Sequence, residues 1–361
     1  MIPFINLRPL ADELRPKIMQ SLGEILDNTE FVSRGFHVQA LEQQLCQQLG
    51  VRHAITCASG TSALTLALAA YNIGGDQCVA MPNVTFWATY EAVVHAGARP
   101  LLIDIDPDDL QMSFDEFKRA HKQHRFKAAI FVHLFGWTST RLTEFRTYCR
   151  EHGITLVEDG AQAYGTLIRG QSVFSEAEVI TLSFHPAKVV AGLGDGGAVL
   201  TNDPVTAEGV RLLADHGRTG HYEHALVGWN SRMSGINAAY VLHATKIAEE
   251  RVIADRQRIV RFYQQRLAAK RPPNDVTENG YLNIMHPYDP RHDRMRELGV
   301  TCGRVYPVAV SDQTGATEAL RFGELLFSKL HCQHVLNLPV WYGMTLADAE
   351  AVAVAFEKAP Q

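Results

Sequence analysis

Between residues 51 and 157 short apolar runs alternate with helix-length segments, and that rhythm leaves few folds open. The runs at 51–56, 77–81, 100–105, 128–134 and 154–157 have strand length, and the segments at 61–71, 85–95, 114–121 and 141–152 have helical length and pattern. Strands separated by helices are joined by crossovers and run parallel, and a parallel sheet is covered on both faces. The expected fold is therefore α/β, with a mostly parallel sheet between helices. Ligands of such sheets bind beyond the carboxyl ends of the strands, which says where to look for chemistry.

The chain has 361 residues, 46% hydrophobic and 20% charged, enough for two domains with a sizeable core. A net charge of −5 and the lack of a basic run argue against nucleic acid and anionic membrane as partners. No apolar stretch reaches the ~20 residues of a membrane span. The start, Met1 to Asn6, lacks a charged segment before an apolar core, so no signal peptide is expected. The six cysteines have no metal-ligand spacing and read as reduced thiols, which points to the cytoplasm. No metal site is expected.

Ser183-Phe184-His185-Pro186-Ala187-Lys188 follows the apolar run 179–182, and a glycine cluster (Gly192, Gly194, Gly196, Gly197) precedes a second strand-like run at 198–201. A lysine held in a tight loop at a strand end can lose solvation and become a nucleophilic amine. Alone, it is equally a surface lysine beside a turn. Gly192, Gly194 and Gly197 match the spacing of a dinucleotide-binding fingerprint. That motif must leave a strand directly and open a helix; here a lysine loop precedes it and a strand follows, so the nicotinamide reading fails on context.

Three other strand ends carry polar groups. Ser59-Gly60-Thr61-Ser62 opens a helix and offers free N–H groups and hydroxyls to an anion, or is an ordinary cap. Phe86 and Trp87 stand in a strand-to-helix loop, where they could cover a planar ligand or fill the core. Glu158-Asp159 ends the run 154–157, and a carboxylate there is costly unless paired. It would serve as a cap, as an internal ion pair, or as the partner of a protonated heteroaromatic nitrogen. A reactive lysine, an acid, an anion-binding helix start and a loop aromatic are together what pyridoxal phosphate requires.

Six segments resemble, in order, the DegT/DnrJ/EryC1/StrS family of sugar aminotransferases. They are Ser59 to Leu64, Thr85 to Thr89, Glu158 to Ala163, Ser183 to Lys188, Gly194 to Gly197, and Gly228 to Met233. The resemblance covers roughly residues 1–250 and implies a fold type I pyridoxal-phosphate transferase. Its large domain, with the N-terminal arm, would span 1–245, and a smaller α+β domain with the connecting helix would span 246–361. The resemblance also implies roles. Lys188 would bond the cofactor, and Asp159 would pair with the pyridine nitrogen. Gln162 would bond the ring hydroxyl and Phe86 would stack on the ring. Gly60, Thr61 and Ser183 would hold the phosphate, with Asn230 reaching it from a neighbouring subunit of a homodimer. Tyr164 and Asp195 depart from the usual pattern at positions given no part in the chemistry. Beyond residue 300 the histidine-containing motif usual after Tyr306-Pro307 is absent.

The implied activity moves an amino group from glutamate to a keto group of a nucleotide-linked deoxysugar, the cofactor alternating between pyridoxal and pyridoxamine phosphate. A cyclitol or aromatic-precursor aminotransferase, and a non-catalytic scaffold or sensor on the same fold, are the alternatives. For the C-terminal part, a long helical stretch is expected at 234–270, strands at 281–285 and 305–310, and helices at 291–298, 316–330 and 346–356, the last opened by a Thr345/Asp348 capping box.

Overall fold

A computed structural model describes residues 1–29, 31–32, 35–285 and 290–359. Two helices, α1 (Arg8–Asn28) and α2 (Phe36–Leu49), precede the alternating part. There follow β1 (His53–Cys57), α3 (Gly60–Ala70), β2 (Cys78–Pro82), α4 (Trp87–His95), β3 (Arg99–Ile103), α5 (Phe114–His124), β4 (Ala128–Val132), α6 (Leu142–His152) and β5 (Thr155–Asp159). A small hairpin, β6 (Leu167–Ile168) and β7 (Gln171–Ser172), leads to β8 (Val179–Ser183), β9 (Gly197–Thr201) and α7 (Pro204–Ala214). Next come α8 (Gly235–Ile247) and α9 (Ile253–Arg266), joined by one wide helical turn at Ala248–Val252, which together make the long helical stretch expected there. The chain ends with β10 (Val276–Thr277), β11 (Leu320–Arg321), α10 (Leu326–His334) and α11 (Leu346–Lys358).

The main sheet has eight strands in the order β1-β9-β8-β5-β4-β2-β3-β11. Only β9 runs against its neighbours; the other pairings are parallel. The carboxyl ends of β1, β2, β4, β5 and β8 therefore share one edge, and the β8–β9 connection with Lys188 turns back over it. Side chains alternate across the pleat. Ile103, Phe131, Leu156 and Leu200 enter the core on one face, with Leu41 and Leu45 of α2. Leu102, Ile130, Val157 and Val199 enter the core on the other, with Leu64 and Leu68 of α3. Each such fully buried side chain contributes about 1.5–3 kcal/mol, so register is strongly specified. A third core gathers Ile259 and Tyr263 of α9, Met285, Leu338, Trp341 and Val352 of α11. The expected domain boundary at 245/246 falls inside α8.

The C-terminal part departs most from expectation. The segments 281–285 and 305–310 make no strands; single bridges join Ile284 to Lys270, Met285 to Leu336 and Gly303 to Asn337. Buried asparagines replace the ladder. Asn283 Nδ2 donates to Leu338 O at 2.7 Å and its Oδ1 accepts from Leu338 N at 3.1 Å. Asn337 Nδ2 donates to Asn283 O at 2.7 Å and its Oδ1 accepts from Val305 N at 2.8 Å. The helix expected at 316–330 starts only at Leu326, and the helix expected at 291–298 is a 3-10 helix, Pro290–Arg296. Leu320 and Arg321 extend the sheet beside β3 instead, and Asp104 accepts the Phe327 and Ser328 N–H groups at 2.9 and 2.7 Å, which sets where α10 begins. The Thr345/Asp348 capping box on α11 is formed as expected.

Candidate active site

A pocket of about 340 Å³ opens at the carboxyl edge of the sheet. Of the residues singled out in the sequence, Gly60, Thr61, Phe86, Asp159, Gln162, Ser183 and Lys188 line it. Each stands at a strand end or the first turn after one. Gly60 opens α3, where Ser59 caps by accepting from Ser62 N at 3.0 Å. The Gly60 and Thr61 N–H groups, at the start of a helix that lines the pocket, have no acceptor among the described residues, the arrangement that suits an anion. A Cβ on Gly60 would stand 2.7 Å from Ser183 Cβ, so only glycine lets this helix meet β8.

Glu158 and Asp159 sit side by side on β5 and point to opposite faces, and they differ in their partners. Glu158 is buried, yet paired: His133 Nε2 lies 2.9 Å from its Oε2, and Arg146 holds both oxygens at 2.7 and 2.8 Å. Burial raises its pKa, but these hydrogen bonds outweigh it and leave the carboxyl below its ordinary value. Asp159 is equally buried and, among the described residues, no cation lies within ion-pair distance of it. It accepts from Ala161 N at 3.0 Å and from Thr89 Oγ1 at 3.3 Å. Burial pushes its carboxyl above the usual range, against the Ala161 N–H and the Lys188 charge. A buried carboxylate without a cation is costly.

Gln162 Oε1 accepts from Phe135 N at 2.7 Å and its Nε2 donates to Tyr306 Oη at 2.9 Å, which fixes the orientation of the amide. Phe86 is 56% exposed because it faces the cavity, its ring 6.0 Å from that of Tyr306. The lysine loop is held by α8: Asn237 Oδ1 accepts from Leu193 N at 2.8 Å and Asn237 Nδ2 donates to Asp195 O at 2.7 Å. The glycine spacing that imitated a nucleotide fingerprint lies in this loop, and Gly197 opens β9, not a helix.

Asp195, given no part in the chemistry from sequence, lines the pocket; the α8 clamp carries the glycine loop back to the site. Tyr164 stays outside the pocket, its hydroxyl bonded to Gln48 and Glu249. Asn230 does not line the pocket of its own chain. It is exposed, and its Oδ1 accepts from Arg232 Nη2 at 2.8 Å. Sequence reasoning missed Thr85, Thr89, Thr181, His185 and Tyr281. Thr85, in the loop before α4, and Thr89, in its first turn, have hydroxyls 2.7 Å apart and both fall in the segment Thr85 to Thr89. Tyr281 comes from a distant segment, and nothing local marks it.

These residues fit pyridoxal phosphate. The cation-free Asp159 matches a protonated ring nitrogen, the start of α3 a phosphate, and the exposed Phe86 a flat ring. The buried Thr181 hydroxyl has no partner among the described residues.

Comparison with known proteins agrees. The chain is 35% identical over 287 residues to the UDP-N-acetyl-3-dehydro-alpha-D-glucosamine 3-aminotransferase of Acidithiobacillus ferrooxidans, covering 80% of this chain and 77% of that one. It is 30% identical over 362 residues to the UDP-2-acetamido-2-deoxy-3-oxo-D-glucuronate aminotransferase of Pseudomonas aeruginosa, covering 98% and 99%. The crystal structure of DesV from S. venezuelae in complex with a ketimine intermediate superposes with a TM-score of 0.94 at 28% identity, over 100% of this chain and 99% of that one. The model of the DegT/DnrJ/EryC1/StrS aminotransferase family matches residues 12–357. The chain belongs to this family of pyridoxal-phosphate-dependent aminotransferases.

Proposed function

We propose that this protein transfers an amino group from glutamate to a keto group of a nucleotide-linked deoxysugar. The observation that carries the reading is the facing pair in one pocket: a buried carboxylate without a cation, Asp159, and the amine of Lys188. A non-catalytic scaffold has no use for that costly arrangement. Both relatives described above are named for UDP-linked keto sugars, which supports a nucleotide sugar over a cyclitol.

Pyridoxal phosphate supplies an aldehyde carbon that takes up the amino group and a ring that withdraws electrons. The protein's residues do the rest. The first turn of α3 and Ser183 bind the phosphate. Phe86 covers the ring, and Gln162, its amide already turned by Phe135 N–H, offers Nε2 to the ring hydroxyl. Asp159 keeps the ring nitrogen protonated, which matters most as negative charge develops. Lys188 Nζ would bond the cofactor and, when free, would take up and return the proton at the substrate carbon.

The proposed assembly is a homodimer with shared sites. Asn230 turns its oxygen to Arg232, leaving its amide N–H groups without an acceptor among the described residues. They suit a phosphate held by another copy. Tyr222, Leu226 and Val227 are exposed in the same segment, as apolar residues of an interface would be in a single chain. The proposed compartment is the cytoplasm, since all six cysteines are free thiols.

The deciding experiment is borohydride reduction of the purified, cofactor-loaded protein followed by peptide mass mapping. The pyridoxyl mark is expected on Lys188 and is lost in Lys188→Ala. A mark on another lysine sinks the assignment.

A further inference from the structure

We propose that Tyr281 is a positioning residue for Lys188, holding its amine in line for the cofactor whenever the two are not bonded. This rests on the reading of Lys188 above. Lys188 Nζ donates to Tyr281 Oη at 3.5 Å, its one side-chain hydrogen bond among the described residues, and the ring centre is 5.1 Å away. Such contacts are often long until the site is filled.

The backbone beneath the tyrosine is over-determined. Its N–H donates to Asn279 Oδ1 at 2.9 Å. Asn279, fully buried, spends its amide on the carbonyls of Gln162 and Tyr164 at 2.8 and 2.9 Å, in the loop that follows Asp159. Arg256, also buried, donates to Gly280 O at 3.0 Å and to Tyr281 O at 2.9 Å. Gly136 is in the left-handed region, and a Cβ there would lie 2.0 Å from Asn279 Oδ1 and 3.2 Å from Tyr281 Cβ. Two buried polar side chains and a glycine thus fix one turn whose side chain reaches the amine. Packing alone does not require a phenol there. A hydroxyl fixed to the scaffold, and not to the flexible lysine stem, keeps the amine from swinging away.

The test begins with cofactor-free Tyr281→Phe, which keeps ring and volume. Added pyridoxal phosphate is captured by Lys188, and the rise in absorbance gives the rate. Binding of 4′-deoxypyridoxine phosphate, which lacks the aldehyde, is measured in parallel by fluorescence titration. The expected result is capture slowed about tenfold or more, in keeping with the sensitivity of such reactions to misplacement, with unchanged affinity for the aldehyde-free analogue. In the loaded enzyme kcat falls and the KM for the amino donor holds. Capture at the wild-type rate overturns the proposal. So does an equal loss of capture rate and analogue affinity, which would make Tyr281 part of the general pocket wall. Tyr281→Leu, with its melting temperature, checks that any loss in the phenylalanine variant is not a folding defect. A pyridoxyl mark away from Lys188 would instead defeat the functional reading itself, so the two failures are distinct.

Discussion

Asp159 and Glu278 show how a buried carboxylate can serve opposite ends. Burial lifts Asp159 above its ordinary range. A carboxyl whose pKa is higher folded than unfolded binds more protons in the native state, so its stability contribution is present at low pH and is lost as pH rises through the folded value. Cofactor-free Asp159→Asn should therefore melt higher than the parent at pH 8, while kcat of the loaded enzyme falls about 100-fold with little change in KM. An unchanged kcat would make Asp159 structural. Glu278 sits under the Tyr281 turn, its Oε2 accepting from Gly280 N at 2.6 Å, and burial lifts its pKa from 4.5 to about 7. That difference is worth about 3 kcal/mol of stability, lost between pH 4.5 and 7. Urea denaturation of Glu278→Gln should show a flatter pH dependence across that window and higher stability than the parent at pH 8.

At the scale of elements, the site depends on how one loop is tied to one helix. The β8–β9 connection carries Lys188 and Asp195 and is bonded through its backbone to Asn237 of α8. Asn237→Ala removes two part-buried hydrogen bonds, to Leu193 N and Asp195 O, at about 0.5–1.5 kcal/mol each. The expected result is a lower melting temperature and faster loss of pyridoxal phosphate on dialysis, with kcat of the remaining loaded enzyme near the parent's. A cofactor half-life equal to the parent's would show that the loop holds its shape without α8. The neighbouring carboxylates of β5 make the complementary point. Local pattern gives both the same strand and the same burial, and only Arg146 of α6 and His133, just after β4, give Glu158 the partners that Asp159 lacks.

At the scale of the molecule, the proposal is that each site is built from two chains. If Asn230 reaches the phosphate held by another copy, Lys188→Ala and Asn230→Ala should each be poor alone. Loss of a charge-assisted hydrogen bond costs about 1.5–3 kcal/mol, so the second variant should be weak but measurable. Refolded together, the two should recover about a quarter of wild-type sites, because in a mixed two-fold dimer one site receives both intact residues and the other both lesions. Activity equal to the mean of the separate variants would remove the shared-site proposal.

Much of this protein is readable from its residues in order. The alternation at 51–157 specifies a parallel sheet because each strand and helix is set by local periodicity. The segments around Gly60, Phe86, Asp159 and Lys188 could be placed at one edge because parallel strands end together. What local pattern could not supply was anything decided between distant segments. The asparagines at 283 and 337 replaced two expected strands with side-chain hydrogen bonds. Asp104 moved the start of α10, and β11 took the sheet edge in place of a helix. Tyr281 meets Lys188 across 93 residues of sequence. That contact exists because Asn279, Arg256 and Gly136 clamp one turn against the sheet edge, an arrangement that no stretch of the chain encodes by itself.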